Sequence, residues 1–425
     1  MARIIYSLFF YLMLPFIIIR LLYKSRQSHG YRQRWRERFG WFQAPEKTGG
    51  IWIHAVSVGE TIAAVPMIKA LQQAYPYKQI IITSMTPTGS ERVRALFHDS
   101  VFHVYVPYDF PGAVKRFLRK VKPSLLILME TELWPNCLHY CAKQKVPVIL
   151  ANARLSEQSY LGYRRIKRVA AKMLSEISLI GAQAEPDAQR FIKLGAAPDK
   201  VIVTGSMKFD IRIADSVQQH ASELREALHP ERPIWIAAST HENEEEHVLK
   251  AFQKIRQRVP DSLLILVPRH PERFPKVAEL CRKQGYKVVC RSQHQFPNSH
   301  TDIYLGDTMG ELLILYGASD IAFVGGSLVP IGGHNMLEPA ALAIPSITGP
   351  NYFNFATIVS LLEEANGLRK IQNTDELADV VIDWFNDPSK RQQAGKNAKQ
   401  VVEAHRGSMA AHLNMVEDIL SPNRT

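Results

Sequence analysis

The side chains of this chain best equipped for chemistry fall in short clusters, each just after an apolar run. Ser57-Val58-Gly59-Glu60 follows Ile51–Val56, with Glu60 at the start of a helical stretch from Thr61. A carboxylate there has two readings. It favours the positive end of the helix dipole, as a first-turn acid does, or it is a general base at a strand tip facing a cleft. Glu130 and Glu132 follow Ser124–Met129. Like charges that close are costly unless a cation or a ligand is near, so one of them is expected to cap the helix after Pro135 and the other to serve a site. Gly205-Ser206-Met207-Lys208-Phe209-Asp210 places a lysine where the first half of the chain ends. It either reaches a ligand or pairs with Asp210 in solvent.

The second half carries groups suited to an anion. Pro268-Arg269-His270-Pro271 holds an arginine between two prolines, a rigid mount for a fork aimed at phosphate. Asp307-Thr308-Met309-Gly310-Glu311 is expected to open a helix, with Asp307 or Thr308 as N-cap, or with free N–H groups that hold an anion. The densest cluster is Gly325-Gly326-Ser327 followed by Gly332-Gly333-His334-Asn335-Met336-Leu337-Glu338-Pro339. Glycine-rich backbone can approach a phosphate closely, the expected helix Met336–Leu342 supplies N–H donors, and Glu338 is placed to hold ribose hydroxyls. The Gly-Lys-Ser/Thr of a P-loop is missing and the glycine spacing does not fit the dinucleotide fingerprint. No Asp-x-Asp ends a strand and no Asp/His cluster suggests a metal, so Arg, Lys and helix termini must meet the charge on a leaving phosphate.

The elements that would position these groups follow from periodicity. Strand candidates are Ile51–Val56, Gln79–Ser84, Val101–Val106, Ser124–Met129, Val146–Ala151, Ile177–Ala182 and Lys200–Thr204, then Pro233–Ala238, Ser262–Val267, Tyr286–Cys290, Asp302–Leu305, Ile321–Val324 and Pro345–Ile347. Helical patterns such as Thr61–Ala74 and Pro111–Lys120 alternate with them, which predicts α/β architecture with parallel sheets covered on both faces. The pattern pauses at Ser206–Arg232, dividing the chain into two doubly wound halves joined near residue 207. Ligands of such sheets lie beyond the carboxyl ends of the strands, and two such sheets facing each other would form a cleft with one substrate per half.

A chain of 425 residues, 46% hydrophobic and 22% charged, suits two globular domains. Its four cysteines (Cys137, Cys141, Cys281, Cys290) are too scattered for a disulfide framework and read as buried thiols of a reducing compartment. The net charge of +12 is uneven: residues 1–50 hold nine Lys or Arg against two acids, a net +7. Ile4 to Ile19 is free of charge and, extended to Tyr23, reaches about 20 apolar residues, enough for one crossing. The basic run behind it places the remaining chain on the cytoplasmic side. A cleaved leader fits poorly, for lack of a small-x-small site. Pro15 and the marginal length keep an interfacial helix open. The basic stretch Lys24–Arg38 points to an anionic membrane surface, and Tyr163–Lys172 either faces lipid phosphates as well or is a solvated helix face. A nucleic-acid groove would need aromatics interleaved with Lys and Arg, which the C-terminal half lacks, so no nucleic-acid partner is expected.

Val56–Glu60 (VSVGE), Met85–Arg92 (MTPTGSER), Met129–Asn136 (METELWPN), Asn152–Ser156 (NARLS), Gly205–Asp210 (GSMKFD), Pro268–Phe274 (PRHPERF) and Gly332–Pro339 (GGHNMLEP) together resemble the 3-deoxy-D-manno-octulosonic acid (Kdo) transferases of Gram-negative bacteria. The likeness runs over essentially the whole chain. It departs at Met336, where many members carry proline; since proline at a first helical position mainly pre-sets φ, little loss of function is expected. The resemblance implies a GT-B fold: a membrane anchor over 1–24, an acceptor-binding domain over 25–206 and a CMP-sugar-binding domain over 207–425. It implies inverting transfer of Kdo from CMP-Kdo to a lipid A precursor, lipid IVA, in lipopolysaccharide biosynthesis, without metal or other cofactor, at the cell inner membrane. By the same resemblance Glu60 is the catalytic base, and Glu130 and Lys208 stabilise the transition state. Pro268, Arg269, Met309, Gly310, Glu311, Asn335, Met336, Leu337 and Glu338 are the CMP site. A two-domain transferase or epimerase with a uridine donor is the competing expectation, which CMP-against-UMP calorimetry separates.

Overall fold

The computed structural model describes residues 2–27 and 29–421. It divides into two compact units, Met1–Lys208 with Arg406–Thr425, and Phe209–His405.

The first unit is built on a seven-stranded parallel sheet: β1 Ile51–His54, β2 Ile80–Ser84, β3 Phe102–Tyr105, β4 Leu125–Met129, β5 Val148–Ala153, β6 Leu179–Ala182 and β7 Val201–Val203, in the order β3-β2-β1-β4-β5-β6-β7. Its central strands are buried on both faces, which is why they read as unbroken apolar runs. Helices cover both faces. In Pro111–Val121, for example, Ala113, Val114, Phe117, Leu118 and Val121 are buried at helical spacing, and the Phe117 ring lies 4.5 Å from that of Trp52. The chain winds outward from β1 through β2 to β3, then returns to place β4 on the other side of β1. The crevice that a doubly wound sheet offers a ligand therefore opens beyond the tips of β1 and β4.

The second unit repeats the plan with β8 Ile234–Thr240, β9 Leu263–Pro268, β10 Val288–Cys290, β11 Ile303–Leu305, β12 Ile321–Val324, β13 Ser346–Thr348 and β14 Leu368–Lys370, ordered β10-β11-β9-β8-β12-β13-β14. Its switch point lies between β8 and β12. Strand β14 was not expected from sequence: it is a three-residue edge strand in which only Leu368 is buried.

Two expectations are corrected. The assignment of 207–425 to one domain fails at its end, because the helix Ser408–Leu420 packs on the first unit. Met415 and Val416 share a core with Ile51, Ile53, Met67 and Met129. The single anchor helix is also not what forms. Among the described residues no single helix is long and apolar enough to cross a membrane, and the pair Ala2–Leu12 and Leu14–Arg26 meets the requirement only together, bent by 49°. Pro15 explains the break, since it lacks an N–H and its ring collides with the carbonyl four residues back. The first helix rests on the domain, with Arg3 and Ser7 bonded to Asn136 Oδ1 at 2.9 and 3.1 Å and Phe10 and Tyr11 against Phe110. Ile4, Ile5, Leu8, Phe9 and Leu12 are exposed.

Candidate active site

In the first unit the loop after β1 is closed by a reciprocal cap. Ser57 is the N-cap of the helix Val58–Ala74; its Oγ accepts the Glu60 N–H at 3.2 Å and donates to Glu60 Oε1 at 2.9 Å. The other carboxylate oxygen accepts the Val56 N–H at 2.8 Å. Glu60 is therefore a capping residue, but not only that. Burial raises its pKa to about 7, against the pull of the Val56 amide and the Ser57 hydroxyl, and the nearby Glu130 and Glu132 carboxylates add to the rise. A carboxyl that titrates near neutrality is poised to exchange a proton.

Glu130 sits at the tip of β4 with φ +58, in the left-handed region that few side chains adopt. Its N–H donates to the Ala151 carbonyl on β5 at 2.9 Å, so the turn is fixed by the neighbouring strand. Glu132 accepts the Trp134 indole N–H at 2.8 Å, and burial raises its pKa, with Glu130 contributing. Neither carboxylate caps the following helix, Pro135–Lys143, contrary to expectation. Its N-cap, Trp134, makes no capping side-chain bond, and Asp109 from the loop after β3 accepts the N–H groups of Asn136 and Cys137 at 2.9 and 2.7 Å instead. Both glutamates are thereby left to the crevice. Lys208 lies in the turn Met207–Phe209 after β7. Burial lowers its pKa, Glu130 opposes the fall, and Arg154 reinforces it. The three residues predicted for catalysis thus belong to one electrostatic group at the β1/β4 switch point, joined by Glu132, the other carboxylate of the expected pair, and by Arg154, to which no role was given.

In the second unit Pro268 ends β9 and Arg269 is exposed beyond it, its N–H bonded to the Thr240 carbonyl at 2.9 Å. The other arginine of that motif, Arg273, is structural: it forks onto the buried Glu245 at 2.6 and 2.9 Å. His241 and His334 lie edge to edge with ring planes 2° apart and their Nε2 atoms 2.8 Å from each other, so one ring must donate to the other. Burial, then His241, Arg269 and His270, lower the His334 pKa to about 4, keeping it neutral at pH 7. Glu338 is raised by burial, while Asn335 and Arg269 pull it down. Asn335 bonds Glu338 Oε1 and accepts the Leu337 N–H, both at 3.2 Å. Arg269, His334, Asn335 and Glu338 are thus neighbours. Met336 and Leu337 are fully buried and pack in the core, leaving only their backbone to meet a ligand.

Three local expectations change. The N–H groups of Gly326, Ser327 and Leu328 do not await a phosphate; they donate to the carboxylate of the buried Glu244 at 2.7, 3.0 and 2.9 Å, and the His241 N–H joins at 3.1 Å. A backbone nest draws an anion, and here a side chain supplies it. A Cβ on Gly325 would lie 2.8 Å from that carboxylate, so only glycine fits. The helix expected at Asp307 begins later, as Leu312–Gly317 with Glu311 as N-cap, because Asp307 is engaged with the Ser292 N–H at 2.8 Å and Thr308 with Glu311. The helix after Asn335 is shorter than expected, Leu337–Ala341. Met309 is exposed, Gly310 has φ +88, and Glu311 is gripped by Arg291 at 2.9 and 3.2 Å, which lowers its pKa. This group stands at the tip of β11, one strand from Arg269, and its bonds run to Arg291 and Thr308. Among the described residues no three His, Cys, Asp or Glu side chains converge to hold a metal ion.

Two doubly wound parallel domains with residues gathered at each switch point make a GT-B-like glycosyltransferase fold. In fold, the protein is similar to the UDP-GlcNAc 2-epimerase of Neisseria meningitidis bound to UDP-GlcNAc, with TM-score 0.57 and 13% identity over 86% of this chain and 99% of that one. Residues 33–211 match the family described as 3-deoxy-D-manno-octulosonic-acid transferase (kdotransferase), and residues 224–401 match glycosyl transferases group 1. The 3-deoxy-D-manno-octulosonic acid transferase of Haemophilus influenzae is 43% identical over 426 residues, spanning 100% of both chains. That of Bordetella pertussis is 32% identical over 99% of this chain and 100% of its own. The chain belongs to the 3-deoxy-D-manno-octulosonic acid transferase family.

Proposed function

We propose that the protein transfers Kdo from CMP-Kdo to the lipid A precursor lipid IVA, with inversion at the anomeric carbon. The observation that carries this reading is Glu60: a carboxyl with a pKa near 7, grouped with Glu130 and Lys208 at a switch point, in a chain of this family. Glu60 takes the proton of an acceptor hydroxyl as that oxygen bonds to the anomeric carbon. The bond from that carbon to the CMP phosphate oxygen breaks, and CMP leaves with the electron pair. Glu130 offsets the positive charge that builds on the sugar, and Lys208 is a cation suited to the departing phosphate. The second domain holds CMP through Arg269 and the Asn335–Glu338 segment, with Met309, Gly310 and Glu311 at its margin. Pro268 sets the backbone from which Arg269 projects.

The acceptor is a lipid, and the first domain suits work at the cytoplasmic face of an anionic inner membrane. Its N-terminal helices expose Ile5, Leu8, Phe9, Phe16, Ile19 and Leu22. Leu161 and Ile166 are exposed among Arg164, Arg165, Lys167 and Arg168, with no acid between them. The test is to incubate the purified full chain with CMP-Kdo and tetra-acylated lipid A precursor and weigh the product. A gain of one or more Kdo masses, lost in Glu60→Gln while CMP still binds, is expected. Tighter binding of UMP than of CMP, or near-normal turnover in Glu60→Gln, would overturn the donor or the base respectively.

A further inference from the structure

We infer that His412, on the helix that returns to the first domain, is a positioning residue for transfer, acting through Asn152 on Lys208. The inference rests on the proposed role of Lys208. The pairing of β5 with β6 shifts register between Leu150 and Ala153, and Asn152, inside that irregularity, has φ +52. Its N–H is turned off the ladder, and a buried amide without an acceptor is costly. The acceptor is His412 Nε2 at 2.9 Å. His412 Nδ1 lies 2.7 Å from the Ser408 carbonyl. A carbonyl only accepts, so Nδ1 carries the proton, Nε2 presents its lone pair, and the ring is held as the neutral tautomer. Gly181 on β6 makes room, since a Cβ there would lie 2.6 Å from Nε2.

What the imidazole holds is the tip that carries the proposed catalytic groups. The Asn152 side-chain oxygen accepts the Met207 N–H at 3.1 Å, one residue before Lys208. The preceding residue, Ala151, accepts the Glu130 N–H at 2.9 Å. One strand tip thus sets both the turn bearing Lys208 and the strained turn bearing Glu130. Ser408 adds a second tie, its hydroxyl donating to the Gly205 carbonyl at 2.8 Å. His412 is 1% exposed and is no candidate to touch substrate. A residue needed only to fill space there would be apolar, and this one is oriented to take a backbone hydrogen that the strand leaves over.

The experiment is a double-variant cycle on the full chain, read as kcat and KM for CMP-Kdo transfer, with folding checked by thermal melting. His412→Leu should lower kcat roughly tenfold to a hundredfold, the scale of a small misplacement of reacting groups, with KM little changed. His412→Gln, whose amide can accept from Asn152 and donate to Ser408, should recover most of the rate. In a Lys208→Ala background the same His412→Leu change should cost clearly less than in wild type, the remainder reporting the Glu130 turn that the same strand tip holds. An undiminished cost in that background, beside an intact Lys208 effect, would overturn the inference alone. Full activity in Lys208→Ala would overturn the role of Lys208 and the inference with it. If His412→Leu does not fold, His412→Asn, polar but too short to reach Asn152, replaces it in the same cycle with the same outcomes.

Discussion

Replacing Glu60 by glutamine should stabilise the first domain at neutral and alkaline pH while removing turnover. Burial raises the Glu60 pKa from 4.5 to about 7 in the folded protein. At about 1.4 kcal/mol per pKa unit, the ionised form is disfavoured in the folded state by roughly 3 kcal/mol. The sign follows from proton counts. Between the unfolded pKa near 4.5 and the folded pKa near 7, the folded state binds more protons than the unfolded one. Stability from this group is therefore fully present below pH 4.5, falls as pH rises through 7, and then stays flat. Glutamine cannot ionise, so its variant escapes that fall. It keeps an oxygen for the Val56 N–H and offers an amide hydrogen to the Ser57 hydroxyl, preserving the cap. Comparing melting temperatures of variant and wild type from pH 4 to 8 by calorimetry on the full chain should show a gap that widens with pH. For a domain of about 200 residues, 3 kcal/mol amounts to roughly 6–12 °C. Parallel curves for the two proteins would refute the claim that the Glu60 charge is held at a cost.

In wild type, kcat/KM should rise as pH passes through about 7, following Glu60 as its proton leaves, and a pH–rate profile flat from 6 to 8 would count against it as the base. Arg269→Ala should weaken CMP binding about tenfold or more by calorimetry, with an unchanged melt, since its guanidinium is exposed. Arg273→Ala should do the reverse, costing about 3–5 kcal/mol of stability, because it strands the buried Glu245 carboxylate. Asn136→Leu should leave Arg3 and Ser7 without their partner and raise hydrogen exchange across Ala2–Leu12, measured by mass spectrometry, with the sheet amides unaffected.

Among the described residues thirteen of the fourteen strands were legible as apolar runs, most of them because parallel strands covered on both faces read continuously, while the edge strand β7, exposed at Ile202 and Val203, was legible from its β-branched residues alone. The exception, β14, buries one residue and ends in Arg369 and Lys370, which leaves no run to detect. The candidate site was read for a related reason: a doubly wound sheet presents side chains just beyond strand ends, and Glu60, Glu130, Lys208 and Arg269 stand there. Features set by distant pairing were not legible. Nothing near Gly325 says that Glu244 fills its nest, nothing near Arg273 says that Glu245 holds it, and the polar spacing of Ser408–Leu420 does not show a return to the first domain. The acid of Asp109 gave no sign that it caps a helix 26 residues on, which is why Glu130 or Glu132 was assigned that task.

The two domains place a glutamate at corresponding points, in the first turn of the helix after the central strand, and the difference between them supports Glu60 as the proposed base. Glu244 follows β8 and is enclosed: four backbone N–H groups donate to it and its exposure is 0%. Burial pushes its pKa up while those amides pull it down, but all its lone pairs are spent on the nest, and a proton arriving there would break the loop that it holds. Glu60 follows β1 with one backbone N–H and one hydroxyl as donors, and it retains 9% exposure beside two further carboxylates. It keeps lone pairs to spare and has neighbours that favour taking a proton. A first-turn glutamate on the same architecture is thus a structural anion in one domain and the proposed base in the other, and the count of donors around each carboxylate separates the two.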